Sequence, residues 1–78
     1  MTAREMFEEL GYEYCISDTR IYYEKISTNK YGFVCSYTIT FFVDDRNVAC
    51  ERGFTDSMCV DAPTLKAICK QFEELGWL

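Results

Sequence analysis

A short motif occurs twice in this chain of 78 residues, once near each end. It reads Phe-Glu-Glu-Leu-Gly followed by an aromatic residue, which is Tyr12 in the first copy and Trp77 in the second. A glycine directly after an amphipathic segment often ends a helix in the left-handed conformation, and the residue after it packs back on the last turn. The motif therefore predicts one helix at each end of the chain. We expect Tyr12 to pack on Phe7, and by the same rule Trp77 should pack on Phe72.

Both predicted helices also carry a start signal. Thr2 and Glu5 form the Thr-x-x-Glu pattern of a capping box, in which each side chain bonds the backbone N–H of the other residue. The second helix should begin near Asp61, because Pro63 then lies in the first turn, where its missing N–H needs no partner. Helical spacing gives each helix one apolar stripe, formed by Ala3, Met6, Phe7 and Leu10 in the first and by Leu65, Ile68, Cys69, Phe72 and Leu75 in the second.

Between the helices the sequence alternates as β-strands do. Strands are predicted over 12–17, 21–27, 33–43 and 48–54, residues 58–60 are a candidate fifth, and glycine, asparagine and aspartate occupy the turns. In the third strand one set of side chains is apolar and the other is mostly polar. The predicted inner set is Phe33, Cys35, Tyr37, Ile39, Phe41 and Val43, and the outer set is Val34, Ser36, Thr38, Thr40 and Phe42.

The short links between strands favour an antiparallel meander. Two helices that are each apolar on one side would cover one face of that sheet. We therefore expect an α+β fold in the order α-β-β-β-β-α, with an antiparallel meander of four or five strands and both terminal helices on one face. Residues 1–78 should form a single domain, and the Met1 start is typical of a complete small protein. The other face of the sheet is left open, and we expect the function there.

The chain has five cysteines and no histidine, which argues against an enzyme and against a metal site. Without histidine the commonest general base is missing, and Cys-His and Ser-His pairs are missing with it. No Cys-x-x-Cys pair occurs, although a zinc site without histidine needs four cysteines, typically in close pairs. We expect no catalytic residue, no metal and no cofactor. The odd cysteine count and the lack of a signal peptide indicate reduced, buried thiols in a cytoplasmic protein, with a secreted disulfide scaffold as the alternative.

The charge balance bears on the partners. The formal net charge is −5, and the eight basic residues are spread along the chain without a cluster. Direct binding to nucleic acid or to an anionic membrane is therefore not expected, and no apolar run of 18 residues is present to span a bilayer. The acidity either serves solubility or indicates a partner with a basic groove.

Aromatic residues mark the candidate site. Tyr22 and Tyr23 are neighbours on a strand, so they must point to opposite faces, and the sequence leaves open which one is buried. Exposed aromatic side chains among polar ones are typical of protein interfaces, although strand propensity alone also enriches them. The candidate partner-binding residues are Tyr22, Glu24, Phe42, Asp44, Asp45 and Glu51.

The two ends of the chain resemble a group of small, uncharacterised proteins encoded in phages and prophages of Gram-positive bacteria. The resemblance rests on residues 1–12, which end in the first motif, and on residues 65–77, which end in the second. It implies a phage accessory protein in the bacterial host cytoplasm. Short acidic proteins of that origin often act by binding and blocking a host macromolecule, including defence enzymes that handle nucleic acid.

Three functions follow from the sequence as hypotheses. The leading one is a non-catalytic accessory or inhibitory protein of phage type that binds a basic surface of a host protein. The second is an oligomer that sequesters a small ligand such as a signalling nucleotide, with Arg20, Arg46 or Arg52 on the phosphate. The third is a structural or regulatory phage protein that forms a homodimer through the open sheet face.

Overall fold

The chain folds into one antiparallel sheet with a helix at each end of the sequence. The computed structural model describes residues 1–28, 30–53 and 59–78. The strands pair in the order β1-β2-β3-β4, so the predicted α+β meander, α-β-β-β-β-α, is confirmed. The elements are α1 (Ala3–Glu9), β1 (Glu13–Ile16), β2 (Arg20–Thr28), β3 (Val34–Phe42), β4 (Asn47–Arg52) and α2 (Ala62–Glu74).

The described residues of the candidate fifth strand do not form a strand. Cys59 and Val60 precede α2 without strand structure, whereas Met58 lies outside the described residues, as does Phe54 at the predicted end of the fourth strand. The sheet of the described residues therefore has four strands.

Both helices cover the same face of the sheet. The core there consists of buried side chains from α1, α2 and the two central strands, and Tyr23 is 1% exposed at its centre. The Tyr23 ring stacks on Phe7 of α1 with ring centroids 4.0 Å apart. Its hydroxyl donates a hydrogen bond of 2.5 Å to the side-chain oxygen of Gln71 on α2. Tyr23 is therefore the core-facing member of the tyrosine pair, and Tyr22 lies on the opposite face.

The repeated motif ends both helices as predicted. Gly11 and Gly76 have φ angles of 93° and 75°, in the left-handed region where a side chain is strained. The Tyr12 N–H donates to the Phe7 carbonyl at 3.0 Å, and the Trp77 N–H donates to the Phe72 carbonyl at 2.9 Å. The rings pack with centroids 5.6 Å apart in the first motif and 4.9 Å apart in the second.

The start signals of both helices are also confirmed. The Thr2 and Glu5 side chains form the reciprocal capping box, and the backbone N–H of Thr2 lowers the pKa of Glu5 by its hydrogen bond. Asp61 caps α2, where its hydrogen bonds from Thr64 lower the pKa of the carboxyl group. Each cap satisfies N–H groups that the first helical turn leaves without a partner.

The buried stripe of α2 differs from the predicted one. Leu65 is 54% exposed and Cys69 is exposed, whereas the buried residues are Thr64, Ala67, Ile68 and Gln71. The side chain of Ala67 is small enough for close packing, and Gln71 bonds the Tyr23 hydroxyl. This arrangement rotates the helix so that Leu65 and Cys69 fall outside the buried arc.

Two other burial predictions are wrong. Phe33 and Val43 flank β3 instead of facing the core, and they are 68% and 38% exposed, because the side chains that β3 buries in the core are Ile39 and Phe41. The cysteines are free thiols, but none of them is fully buried: Cys15, Cys35 and Cys50 are half-buried, and Cys59 and Cys69 are exposed.

Candidate functional site

The candidate site is the sheet face that the helices leave uncovered, which we call the open face. Strand pairing places Cys15, Tyr22, Thr40 and Ala49 in one cross-strand row of this face. Because side chains alternate along a strand, residues two positions away from these also belong to the open face. The neighbouring row consists of Glu13, Glu24, Thr38 and Glu51, and the row on the other side includes Arg20, Phe42 and Asn47.

A depression of about 430 Å³ lies in the open face. It forms because the central strand β3 contributes the short side chains of Thr38 and Thr40, while the flanking strands contribute longer ones. A water molecule takes about 30 Å³ of liquid volume, so the space holds much more than one solvent molecule. Its lining residues are Ser17, Arg20, Tyr22, Glu24, Thr38, Thr40, Phe42 and Glu51.

The structure brings together part of the predicted site. Tyr22, Glu24, Phe42 and Glu51 all line the depression, from three different strands. Asp44 and Asp45 do not line it: they are exposed in the turn that joins β3 to β4. That turn is closed by the Arg46 N–H, which donates to the Phe42 carbonyl at 2.9 Å and has a φ of 54°. The two aspartates therefore sit beyond the end of the sheet.

The carboxylates form the most unusual feature of the open face. Glu13 on β1 lies directly opposite Glu24 on β2, and Thr38 separates Glu24 from Glu51 on β4. We call Glu13, Glu24 and Glu51 the acid row. Like charges directly opposite each other on a sheet destabilise it. An ion pair joins Arg4 to Glu8 on α1, away from the acid row.

Two more groups on the open face lack the partners that similar groups have elsewhere. The Tyr22 ring on the open face contacts no aromatic ring and no cation of the described residues. On the helix side, by contrast, the Arg4 guanidinium lies 4.4 Å from the centre of the Tyr14 ring. Thr40 is only 8% exposed, and its hydroxyl forms no hydrogen bond within 1–28, 30–53 and 59–78; the oxygen keeps contact with solvent, because no buried side-chain polar atom in these ranges lacks a partner. By contrast, the Arg20 guanidinium lies 5.1 Å from the Phe42 ring centre.

Sequence reasoning missed several lining residues. The predicted elements place Ser17 at the end of the first strand and Arg20 in the turn that follows, although the period of two from Tyr22 extends to Arg20. Thr38 and Thr40 were correctly placed on the outer face but were not recognised as the floor of a depression. Glu13 was overlooked because its place in the acid row depends on the register between β1 and β2.

The helix side of the sheet holds the groups whose acidity is most altered. Burial raises the pKa of Tyr12 to about 12 and also raises the pKa of the Cys50 thiol. A thiol with a raised pKa is a weaker nucleophile at neutral pH, because less thiolate is present. A smaller hollow of about 160 Å³ on this side is mostly apolar and lies between the helices, lined by Met1, Met6, Glu9, Leu10, Pro63 and Lys66.

Two of the three arginines proposed for a phosphate ligand lie at one end of the sheet: Arg20 pairs with Phe42, and the Arg46 N–H donates to the Phe42 carbonyl. Arg52 pairs with Tyr37 at the opposite end of β4. No group of three or more Cys, Asp or Glu side chains in the described ranges is arranged to hold a metal ion.

No described helix is long and apolar enough to cross a membrane. Searches with family models, among curated proteins and among solved structures found no significant match to the chain.

Proposed function

We propose that this protein is a non-catalytic binding protein whose open face engages a basic surface on another protein. The observation that carries this proposal is the acid row, which aligns three carboxylates across three strands of an uncovered sheet face. A sheet that keeps Glu13 opposite Glu24 sacrifices some stability. A partner that brings positive charge to the row would turn this repulsion into attraction.

The rest of the open face suits a protein partner. Tyr22 and Phe42 are half-buried aromatic residues beside the acid row, and aromatic residues are enriched in protein interfaces. Acidic and aromatic groups on one face would combine electrostatic steering with apolar contact. The chain's net charge of −5 adds to the attraction of a basic partner over longer distances.

The resemblance of the chain ends to phage and prophage proteins supports a host protein as the partner, in the cytoplasm of a Gram-positive bacterium. Enzymes that handle nucleic acid, including defence enzymes, have basic grooves of the kind that such a face would bind. We therefore propose an accessory or inhibitory role that acts by occupying such a groove.

A homodimer through the open face fits the charges less well. Each copy would bring the three carboxylates of the acid row and the single guanidinium of Arg20 to the interface. Bringing like charges together across an interface generally costs several kcal/mol of binding free energy. We therefore assign the open face to a partner of opposite charge.

The test uses two baits of equal charge in affinity capture from a Gram-positive lysate. The E24K/E51K bait reverses two charges on the open face, and the E9K/E73K bait reverses two exposed charges on the helices. Both changes move the net charge from −5 to −1. We expect a protein that the wild type and E9K/E73K retain and that E24K/E51K loses.

Salt and site-specific cross-linking complete the design. Capture should weaken as the salt concentration rises, because surface charges are screened. A photo-reactive residue at Ser36, which is exposed on the open face, should cross-link the partner, and one at Lys66 on α2 should not. Equal loss with both charge-reversed baits, or cross-linking only from Lys66, would contradict the proposal.

A further inference from the structure

We propose that the depression in the open face is a seat for one guanidinium group, supplied by an arginine side chain of the partner. The group would lie above Thr38, between the carboxylates of Glu24 and Glu51, with the Tyr22 ring beside it. This inference rests on the proposed function and names the chemistry that the open face recognises.

The strand register sets the width of this seat. Glu24 and Glu51 are the direct neighbours of Thr38 on either side, across β2 and β4. Adjacent strands are about 4.8 Å apart, so the two glutamates are roughly 10 Å apart at the backbone. The short Thr38 side chain leaves the space between their carboxylates open. A planar guanidinium has five N–H donors along its edges and can donate to carboxylates on two sides at once.

Thr40 provides an independent indication of a ligand. It lines the depression and is 8% exposed, and its hydroxyl has no hydrogen bond with any described residue. A ligand that fills the depression would remove this hydroxyl from water, which costs about 1–3 kcal/mol unless the ligand donates a hydrogen bond to it. The remaining exposure of Thr40 opens into the depression, where the hydroxyl oxygen is placed to accept an N–H of the bound group.

The aromatic side chains favour arginine over lysine. Arg20 already holds its guanidinium 5.1 Å from the Phe42 ring centre, which shows that this face accommodates such a contact. Tyr22 lies two residues after Arg20 on β2 and therefore on the same face, and its ring contacts no other ring or cation within the described part of the chain. A guanidinium stacks on an aromatic ring and donates in its own plane at the same time, whereas an ammonium group is a compact point charge.

The experiment is an NMR titration of the full chain labelled with ¹⁵N. The probe is a blocked tripeptide with a central arginine, compared with the same peptide carrying citrulline, which is the neutral isostere, and with the lysine peptide. We expect the arginine peptide to shift the amides of residues that line the depression. Its affinity should exceed that of the citrulline peptide about tenfold or more, which corresponds to 1.4 kcal/mol or more.

Three variants connect the binding to the seat. E24Q/E51Q should weaken arginine-peptide binding about tenfold, and the matched E9Q/E73Q control should leave it within about twofold. Thr40→Val removes the hydroxyl but keeps the shape, so it should weaken binding without lowering the midpoint of thermal unfolding. Equal binding of citrulline and arginine peptides, or unchanged binding by E24Q/E51Q, would overturn the inference.

The inference and the proposed function fail in different ways. If the arginine peptide does not bind but E24K/E51K still loses the captured protein, the open face is an interface without this seat. If the arginine peptide binds in the depression but both charge-reversed baits capture equally, the seat exists and the proposed partner surface is wrong.

Discussion

The hydrogen bond between Tyr23 and Gln71 offers a quantitative test of the core. Both residues are buried, at 1% and 6% exposure, and the bond joins the sheet to α2. Replacing Tyr23 with Phe removes the donor and leaves the Gln71 oxygen buried without it. Loss of one partner of a buried hydrogen bond costs about 1–3 kcal/mol. In a domain of this size each kcal/mol shifts the unfolding midpoint by about 4–8 °C.

A double-mutant cycle separates the bond from the loss of the hydroxyl itself. Gln71→Met alone leaves the Tyr23 hydroxyl without its acceptor, whereas Y23F/Q71M replaces both polar partners with apolar groups. Such a paired replacement is nearly neutral, so the double variant should be more stable than either single variant. The free energies of unfolding come from urea denaturation followed by circular dichroism.

Tyr22→Phe is the matched control, because it removes the same hydroxyl from the neighbouring residue on the open face. Surface substitutions usually stay within about 0.5 kcal/mol, and we expect Y22F to do so. Additive effects of Y23F and Q71M, or equal effects of Y22F and Y23F, would refute the assignment of Tyr23 to the core bond.

Four further substitutions test the helix ends and the pH response. Gly76→Ala should destabilise the chain by about 1 kcal/mol through its positive φ. Gly11→Ala should cost more in urea denaturation, because the added Cβ would also lie 3.3 Å from the Lys25 side chain. Hydrogen bonding lowers the pKa of Asp61 in the folded state. Its contribution to the free energy of unfolding is therefore present above the unfolded pKa of about 3.9 and is lost as the pH falls through the folded value. Asp61→Asn should make the free energy of unfolding depend less on pH in this acid range. Burial raises the pKa of Tyr12 to about 12. Its contribution to the free energy of unfolding is therefore present below about pH 10 and is lost as the pH rises through the folded value. Tyr12→Phe should reduce the loss of stability at alkaline pH, measured by fluorescence.

The fold was predictable where one local rule decided each element. The positions of Gly11 and Gly76 fix where both helices end, and the alternation from Cys35 to Phe42 separates the two faces of β3. Which of Tyr22 and Tyr23 is buried could not be predicted from the neighbouring residues, because it depends on which face of the sheet the helices cover. The residues that α2 buries could not be predicted from helical spacing alone either, since Gln71 is buried through its hydrogen bond to Tyr23 on β2.

The candidate site could be predicted only in part. Tyr22, Glu24, Phe42 and Glu51 follow from alternation within single strands, and the structure places them around one depression. The acid row depends on the register of β1 against β2 and of β3 against β4, which no single strand encodes. Asp44 and Asp45 are charged, but they lie in a turn beyond the end of the sheet and do not line the depression.

The central claim is that the open face binds a basic partner through the acid row. The most direct measurement is the dissociation constant of the captured protein with the wild type, E24K/E51K and E9K/E73K at one salt concentration. The account predicts that E24K/E51K weakens binding about tenfold or more, or 1.4 kcal/mol, while E9K/E73K stays close to the wild type. Equal dissociation constants for the two variants would contradict it, because the net charge alone would then explain the binding.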